Sequence, residues 1–166
     1  MKKTLALVMS VILCLGLLAA CGSEPSLTGA ELAAHYKEAI EAGRTEADNT
    51  DRPLSYTGSE EETGSLIWES LGFTEADVDA YAFYLSLMNV QAYCVGLFKP
   101  VEGKAETVTA GLQAYIERTQ SSFEFYLPDQ GEIANAAILE TLDDGSILIV
   151  MCENQDAVRD AIVAAL

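Results

Sequence analysis

An almost unbroken apolar run near the N-terminus constrains this chain more than any other feature. Lys2 and Lys3 precede the run, which covers the 16 residues 5–20. A membrane-spanning helix needs about 20 apolar residues, and the polar segment that follows carries no positive stop-transfer charge. These are the regions of an export signal that is removed from the mature protein. We therefore predict that residues 1–20 take no part in the fold.

The run ends in Leu18-Ala19-Ala20-Cys21, which resembles the lipobox of bacterial lipoproteins. The resemblance implies that the lipoprotein-processing enzymes attach a diacylglyceryl thioether to Cys21, which becomes the first mature residue. Two acyl chains hold a protein at a membrane where one gives only marginal binding. We therefore expect a protein anchored by this lipid at the outer face of the cytoplasmic membrane, with residues 21–26 as a tether. The alternative is an ordinary secretory signal cut after Ala20, which leaves a free thiol.

The mature chain is strongly acidic. Removing the signal leaves 146 residues with seven basic and 26 acidic side chains, a formal charge of −19. Nucleic acid and anionic lipid head groups would both repel such a surface. We therefore expect no nucleic-acid partner, and we assign membrane attachment to the lipid on Cys21. The run of Glu60, Glu61 and Glu62 lacks the ligand spacing of a calcium loop, so no metal site is predicted there.

The mature length suits a single domain. Thr28 and Glu31 have the spacing of a capping box at the start of a helix that Gly43 ends. Residues 44–64 are polar and lack periodicity, so we predict an exposed acidic loop. The predicted organisation is a signal (1–20), a tether (21–26), an N-terminal helix with the acidic loop (27–64) and a folded domain (65–166).

Two segments in which side chains alternate between two faces, as in a strand, define the folded domain, and each is followed by a helical pattern. Residues 78–98 precede a helix at 102–119, and residues 136–151 precede a helix that Asn154 caps. This repetition of strand, strand and helix predicts an α+β fold of two layers, with a four-stranded antiparallel or mixed sheet and the added N-terminal helix. Residues 147–151 are apolar on both faces, which indicates a central strand covered on both sides.

Residues 119–128 join the two halves and carry aromatic side chains where a loop would be polar. We predict an extended link in which Phe123, Tyr126 and Pro128 form either the lid of the core or the edge of a binding surface. We favour the core, since aromatic side chains between a helix and a strand usually seal the layer beneath them.

The order of the predicted strands and helices over residues 65–166 also resembles that of a known family. A strand pair is followed by a long helix ending in Gln120-x-x-Phe123, a Tyr126-x-Pro128 turn, and a final hairpin and helix, after a carboxylate-rich first segment. In this order the chain resembles an uncharacterised family of short lipoproteins from Gram-positive bacteria with a C-terminal domain of unknown function. The resemblance implies a single fold and an extracytoplasmic location, and it assigns no catalytic residues.

Groups that could carry chemistry are few. His35 is the only histidine and is interpreted as a partly exposed helix residue. No phosphate-binding glycine loop, nucleophile elbow or His-Glu-x-x-His motif is present. Cys94 and Cys152 each lie late in a predicted strand. They are interpreted either as a disulfide, which needs Cα atoms within about 4.4–6.8 Å, or as buried thiols, which we favour.

We therefore predict a non-catalytic binding or interaction module at the cell envelope, with no catalytic residues, no cofactor and no metal, and with an envelope protein as a candidate partner. The alternative is a small carboxylate-dependent extracytoplasmic hydrolase, which the composition does not remove. A pocket with two facing carboxylates of raised pKa would favour the hydrolase. An apolar surface rimmed by acids would favour binding.

Overall fold

The structure, a computed structural model, describes residues 27–51, 55–57, 64–86 and 88–166. Along these residues the helices and strands follow in the order α1 (Gly29–Gly43), α2 (Glu46–Asp51), β1 (Ser55–Thr57), α3 (Ser65–Leu71), β2 (Val78–Leu85), β3 (Cys94–Pro100), α4 (Ala105–Phe123), α5 (Pro128–Asn135), β4 (Ile138–Thr141), β5 (Ile147–Met151) and α6 (Gln155–Ala165). The signal, Cys21, the tether and the run at residues 60–62 lie outside the described residues, so what the sequence indicates for them stays a prediction.

The strands form an antiparallel sheet in the order β1-β2-β3-β5-β4. β2 pairs with β3 and β4 pairs with β5, and each hairpin is followed by a helix, α4 or α6. The hairpins join through β3 and β5, where Val95 is the partner of Val150. This confirms the α+β class, the two strand-strand-helix units whose four strands pair in one antiparallel sheet, and the added N-terminal helix. The three-residue β1 extends the sheet beyond β2.

Side chains alternate between the two faces of the sheet, and helices cover both faces. Tyr81 and Phe83 of β2 lie in one apolar core with α3, α4 and α5, whereas Ala82 and Tyr84 lie in a second core with α1 and α6. Three layers therefore replace the two that the sequence predicts. The physical reason is β5, which is buried along its whole length and needs cover on both sides. Its predicted central position is confirmed by its place between β3 and β4.

The two ends of the sheet are different. The connection from β4 to β5 lies where Ile147 is opposite Phe98 and Thr141, and we call this the hairpin end. The turn from β2 to β3 lies at the opposite end, next to the pair formed by Leu85 and Cys94. At each end, β3 and β5 bring together residues that are about 50 positions apart: Phe98 is opposite Ile147 at the hairpin end, and Cys94 is opposite Met151 at the other end.

Residues 44–64 are not the single loop that the sequence predicts, because α2 and β1 lie within them. The Thr45 hydroxyl accepts from the Asp48 N–H at 3.0 Å and donates to Asp48 Oδ2 at 2.9 Å, which caps the start of α2. The capping box predicted at Thr28 is not formed, since no side-chain capping bond is present there. Gly29, the first residue of α1, has a φ of +54°, and this backbone angle is outside the range of a right-handed helix.

The predicted extended link at residues 119–128 is largely helical instead. α4 continues to its end at Phe123, and a further helix, α5, begins at Pro128. Ser121 and Ser122 suggest a loop, yet their hydroxyls donate to carbonyl oxygens four residues earlier at 2.9 and 2.8 Å, which satisfies them within the helix. Proline is favoured in the first turn of a helix, where its missing N–H is not needed.

A capping box of Thr74 and Asp77 closes the turn before β2. The Asp77 carboxylate accepts from the backbone and the hydroxyl of Thr74 and forms an ion pair with Lys104 at 2.8 Å. The hydrogen bond from Lys104, followed by those from Thr74, lowers the pKa of Asp77 from 3.8 to about 2. A lowered pKa stabilises the fold above the unfolded value, and this stabilisation is lost as the pH falls toward the folded value.

Asp77→Asn is therefore expected to lower the melting temperature at neutral pH and to flatten the loss of stability between about pH 4 and pH 2. Thermal unfolding of the wild type and the variant across this range measures both effects. Glu153→Gln, which removes the charge of an exposed carboxylate, is the control and should follow the wild-type curve. An equal acid-induced loss for Asp77→Asn and the wild type would show that the box does not contribute.

Candidate functional site

The three residues of the predicted link separate in the structure. Phe123 is 3 % exposed and lies in the core between the sheet and α3, α4 and α5. Tyr126 is 65 % exposed, and Pro128 is the exposed first residue of α5. Phe125, which the sequence pattern did not single out, is 90 % exposed. The link therefore supplies one core residue and an aromatic turn at the surface, and its residues do not form a single site.

Cys94 and Cys152 lie on opposite faces of the sheet. Cys94 is the strand partner of Met151, so Cys152 follows one position later and belongs to the other core. No disulfide joins them, and the alternation of strand side chains directs the two sulfurs apart. Burial raises the pKa of the Cys94 thiol to about 12, so this thiol stays protonated at neutral pH. The favoured interpretation of the pair as buried thiols fits this arrangement.

A cleft of about 850 Å³ lies at the hairpin end, between α1, α6 and the β4-β5 hairpin. Its apolar wall combines residues from both helices and the hairpin: Leu27, Leu32, Leu142, Val163 and Leu166. His35, half-buried on α1, lies at the edge of the cleft, with Nε2 at 3.2 Å from the Leu166 carbonyl oxygen. The sequence did not indicate this cleft.

Tyr36 and Asp144, which we call the floor of the cleft, are joined by hydrogen bonds to the buried Ser146. Ser146 is fully buried and donates its hydroxyl proton to Asp144 Oδ2 at 2.6 Å and its N–H to Oδ1 at 2.9 Å. A serine hydroxyl has one proton, so Tyr36 must donate the hydrogen bond between Tyr36 and Ser146. Burial raises the pKa of Tyr36 to about 12, which keeps that proton in place. This network fixes α1 against the hairpin.

Carboxylates of the hairpin neutralise both permanent cations of the cleft lining. Arg159 of α6 donates from Nε and Nη2 to the two oxygens of Glu140 at 2.7 and 2.9 Å, and these bonds lower the pKa of Glu140. Lys99 pairs with Asp144 at 3.4 Å. Burial of Asp144 acts to raise its pKa, but the hydrogen bonds from Ser146 and the charge of Lys99 outweigh it, so the pKa is lowered. Both carboxylates are therefore charged at neutral pH.

Two further carboxylates, Asp79 of β2 and Asp143 of the hairpin, also line the cleft. Neither has an ion-pair partner within the ranges that the structure describes. Besides burial, the charges of Asp144 and Asp79 act to raise the pKa of Tyr36, so both carboxylates are close to the floor of the cleft. The cleft therefore combines an apolar wall with a surplus of negative charge.

Hydrogen bonds hold two carboxylates of the cleft and the Ser146 hydroxyl next to them. The cleft carboxylates with a shifted pKa, Glu140 and Asp144, are shifted downward, whereas a carboxylic acid that donates a proton near neutral pH needs a raised pKa. The Ser146 hydroxyl is fully buried and already hydrogen-bonded, so it is not an accessible nucleophile. Among the described residues, no group of three or more histidine, cysteine or acidic side chains is arranged to hold a metal ion.

The fold and the site together define a class of protein: a three-layer α+β domain with an acidic cleft that has an apolar wall. The chain belongs to the family described as a domain of unknown function, DUF4358, whose model matches residues 52–152. This confirms membership of an uncharacterised family. No curated protein and no solved structure matches the chain. The match includes the β4-β5 hairpin, whereas α1 and α6, which complete the cleft, lie outside it.

No helix in the described ranges is both long enough and apolar enough to cross a membrane.

Proposed function

We propose that the protein is a lipid-anchored binding module on the outer face of the cytoplasmic membrane, and that its ligand site is the cleft at the hairpin end. The observation that carries this proposal is the cleft itself, with a volume of about 850 Å³, an apolar wall and a few charged groups. Concave sites of about 300–1,000 Å³ with this composition are typical of ligand binding. The bonds among Tyr36, Ser146 and Asp144 support a pre-organised floor.

The position of the cleft relative to the predicted anchor supports a site close to the membrane. Leu27 lines the cleft and follows Cys21 by six residues. An extended tether of this length reaches about 20 Å at most. The cleft would therefore open near the lipid head groups, where the diacylglyceryl group on Cys21 holds the domain.

A variant that fills the cleft tests this proposal. Val163 is 40 % exposed on α6 and lines the cleft, so a tryptophan there occupies the cleft without entering the core. We expect the wild type, purified from its own membranes, to retain a small molecule that mass spectrometry detects after denaturation. Val163→Trp should retain at least about tenfold less of it, the equivalent of a loss of about 1.4 kcal/mol in binding.

Ala157→Trp is the matched control, because Ala157 is exposed on the same helix and does not line the cleft. This variant should retain the wild-type amount, and far-ultraviolet circular dichroism should show that all three proteins are folded. Equal retention by the wild type and both variants would contradict the proposal.

A further inference from the structure

The distribution of charge and apolar surface in the cleft defines the chemistry of a ligand. Leu142, Val163 and Leu166 belong to the apolar wall, and Val163 and Leu166 are 40 % and 42 % exposed. Asp79 and Asp143 lie in the same lining and have no ion-pair partner among the residues described. Both carboxylates are exposed, so a positive group on a ligand can reach them from the cleft and pair with them, whereas a ligand without positive charge gains no such attraction.

Other ligand classes fit this lining less well. Lys99 and Arg159 are the permanent cations of the described lining, and Asp144 and Glu140 already neutralise them. An anion would have to separate one of these pairs within a strongly acidic domain. A hydrophilic polycation would pair with the carboxylates but leave the apolar wall in contact with water.

We propose, on the basis of the proposed function of the cleft, that its ligand is a small organic cation with an apolar body. The positive group lies on the side of Asp79 and Asp143, and the apolar body covers Leu142, Val163 and Leu166. The volume of about 850 Å³ accommodates a molecule of drug-like size. Charge and apolar contact act together, so a ligand with only one of them binds weakly.

Isothermal titration of the mature lipidated protein in phosphatidylcholine nanodiscs tests this class with three probes. Octylammonium has both a positive charge and a tail, octanoate has the same tail with a negative charge, and putrescine has positive charges with a short linker. After subtraction of empty nanodiscs, we expect octylammonium to bind with a Kd at least about tenfold lower than either of the others.

Removing the surplus carboxylates should abolish this preference. In the double variant Asp79→Asn with Asp143→Asn, the affinity for octylammonium should fall at least about tenfold. The double variant Glu132→Gln with Glu153→Gln changes the net charge by the same amount at exposed positions outside the cleft, and it should bind as the wild type does.

The possible failures are distinguishable. If octanoate binds as tightly as octylammonium and Val163→Trp abolishes both, the cleft is a ligand site but the cationic class is wrong. If putrescine equals octylammonium, the apolar body is wrong. If no probe binds, the proposed ligand class is wrong, while the retention experiment with Val163→Trp still decides on the cleft itself.

Discussion

Phe123→Ala is expected to lower the free energy of unfolding by about 3–5 kcal/mol, the usual cost of truncating a buried aromatic side chain. Phe123 is buried at the end of α4, in the core that α3, α4 and α5 form with the sheet. Because a domain of this size has a total stability of about 5–15 kcal/mol, the melting temperature should fall by about 10 °C or more. Thermal and denaturant unfolding measure the loss.

Tyr126→Ala is the matched control for this truncation. The side chain is three residues away and largely exposed, so its removal should change the stability by no more than about 0.5 kcal/mol. Similar losses for both variants would mean that the turn after α4 is packed differently, and an unchanged melting temperature for Phe123→Ala would contradict its place in the core.

Cys21→Ser is expected to release the protein from membranes or to leave it as an uncleaved precursor. The physical reason is that the proposed thioether needs the cysteine sulfur, and the predicted mature chain, with a formal charge of −19, would be repelled by anionic head groups. Fractionation of membranes and soluble material, with the electrophoretic mobility of each form, measures the result.

Cys14→Ser makes the same chemical change inside the apolar run that we predict to be removed with the signal. This control should be processed and anchored as the wild type is. A Cys21→Ser protein that is cleaved and still sediments with membranes would contradict lipid anchoring at this residue.

The sheet could be predicted from the sequence because strand periodicity is a local signal. Tyr81 and Phe83 alternate with Ala82 and Tyr84 along β2, and this alternation by itself assigns the two pairs to opposite faces of the strand. The apolar run of β5 likewise indicates a central strand. The partner of each strand is not a local property, so the sequence pattern does not determine that the two hairpins join through β3 and β5.

The helices at the centre of the chain were harder to predict. Ser121 and Ser122 resemble loop residues by composition, and their hydrogen bonds to the preceding turn exist only in the folded helix. The number of layers depends on where α1 and α6 pack. The sequence defines the apolar stripe of each helix but not the face of the sheet that receives it.

The cleft could not be predicted, because its side chains come from elements that are distant in the sequence. Tyr36 and Ser146 are 110 positions apart and meet only when α1 packs on the hairpin. The turn between β4 and β5 is a local feature, but the Ser146 hydroxyl that follows it contacts α1 only in the folded chain. Arg159 similarly meets Glu140 only through the packing of α6.

The location of the ligand site is tested most directly by the backbone amide chemical shifts of the isotope-labelled mature protein during titration with octylammonium. If the ligand occupies the cleft, the amides of His35, Leu142 and Val163 shift in proportion to saturation. The amides of Met88 and Phe125, near the opposite end of the sheet, stay unchanged. Shifts that saturate at Met88 and Phe125 while those of the cleft stay constant would contradict the proposed site.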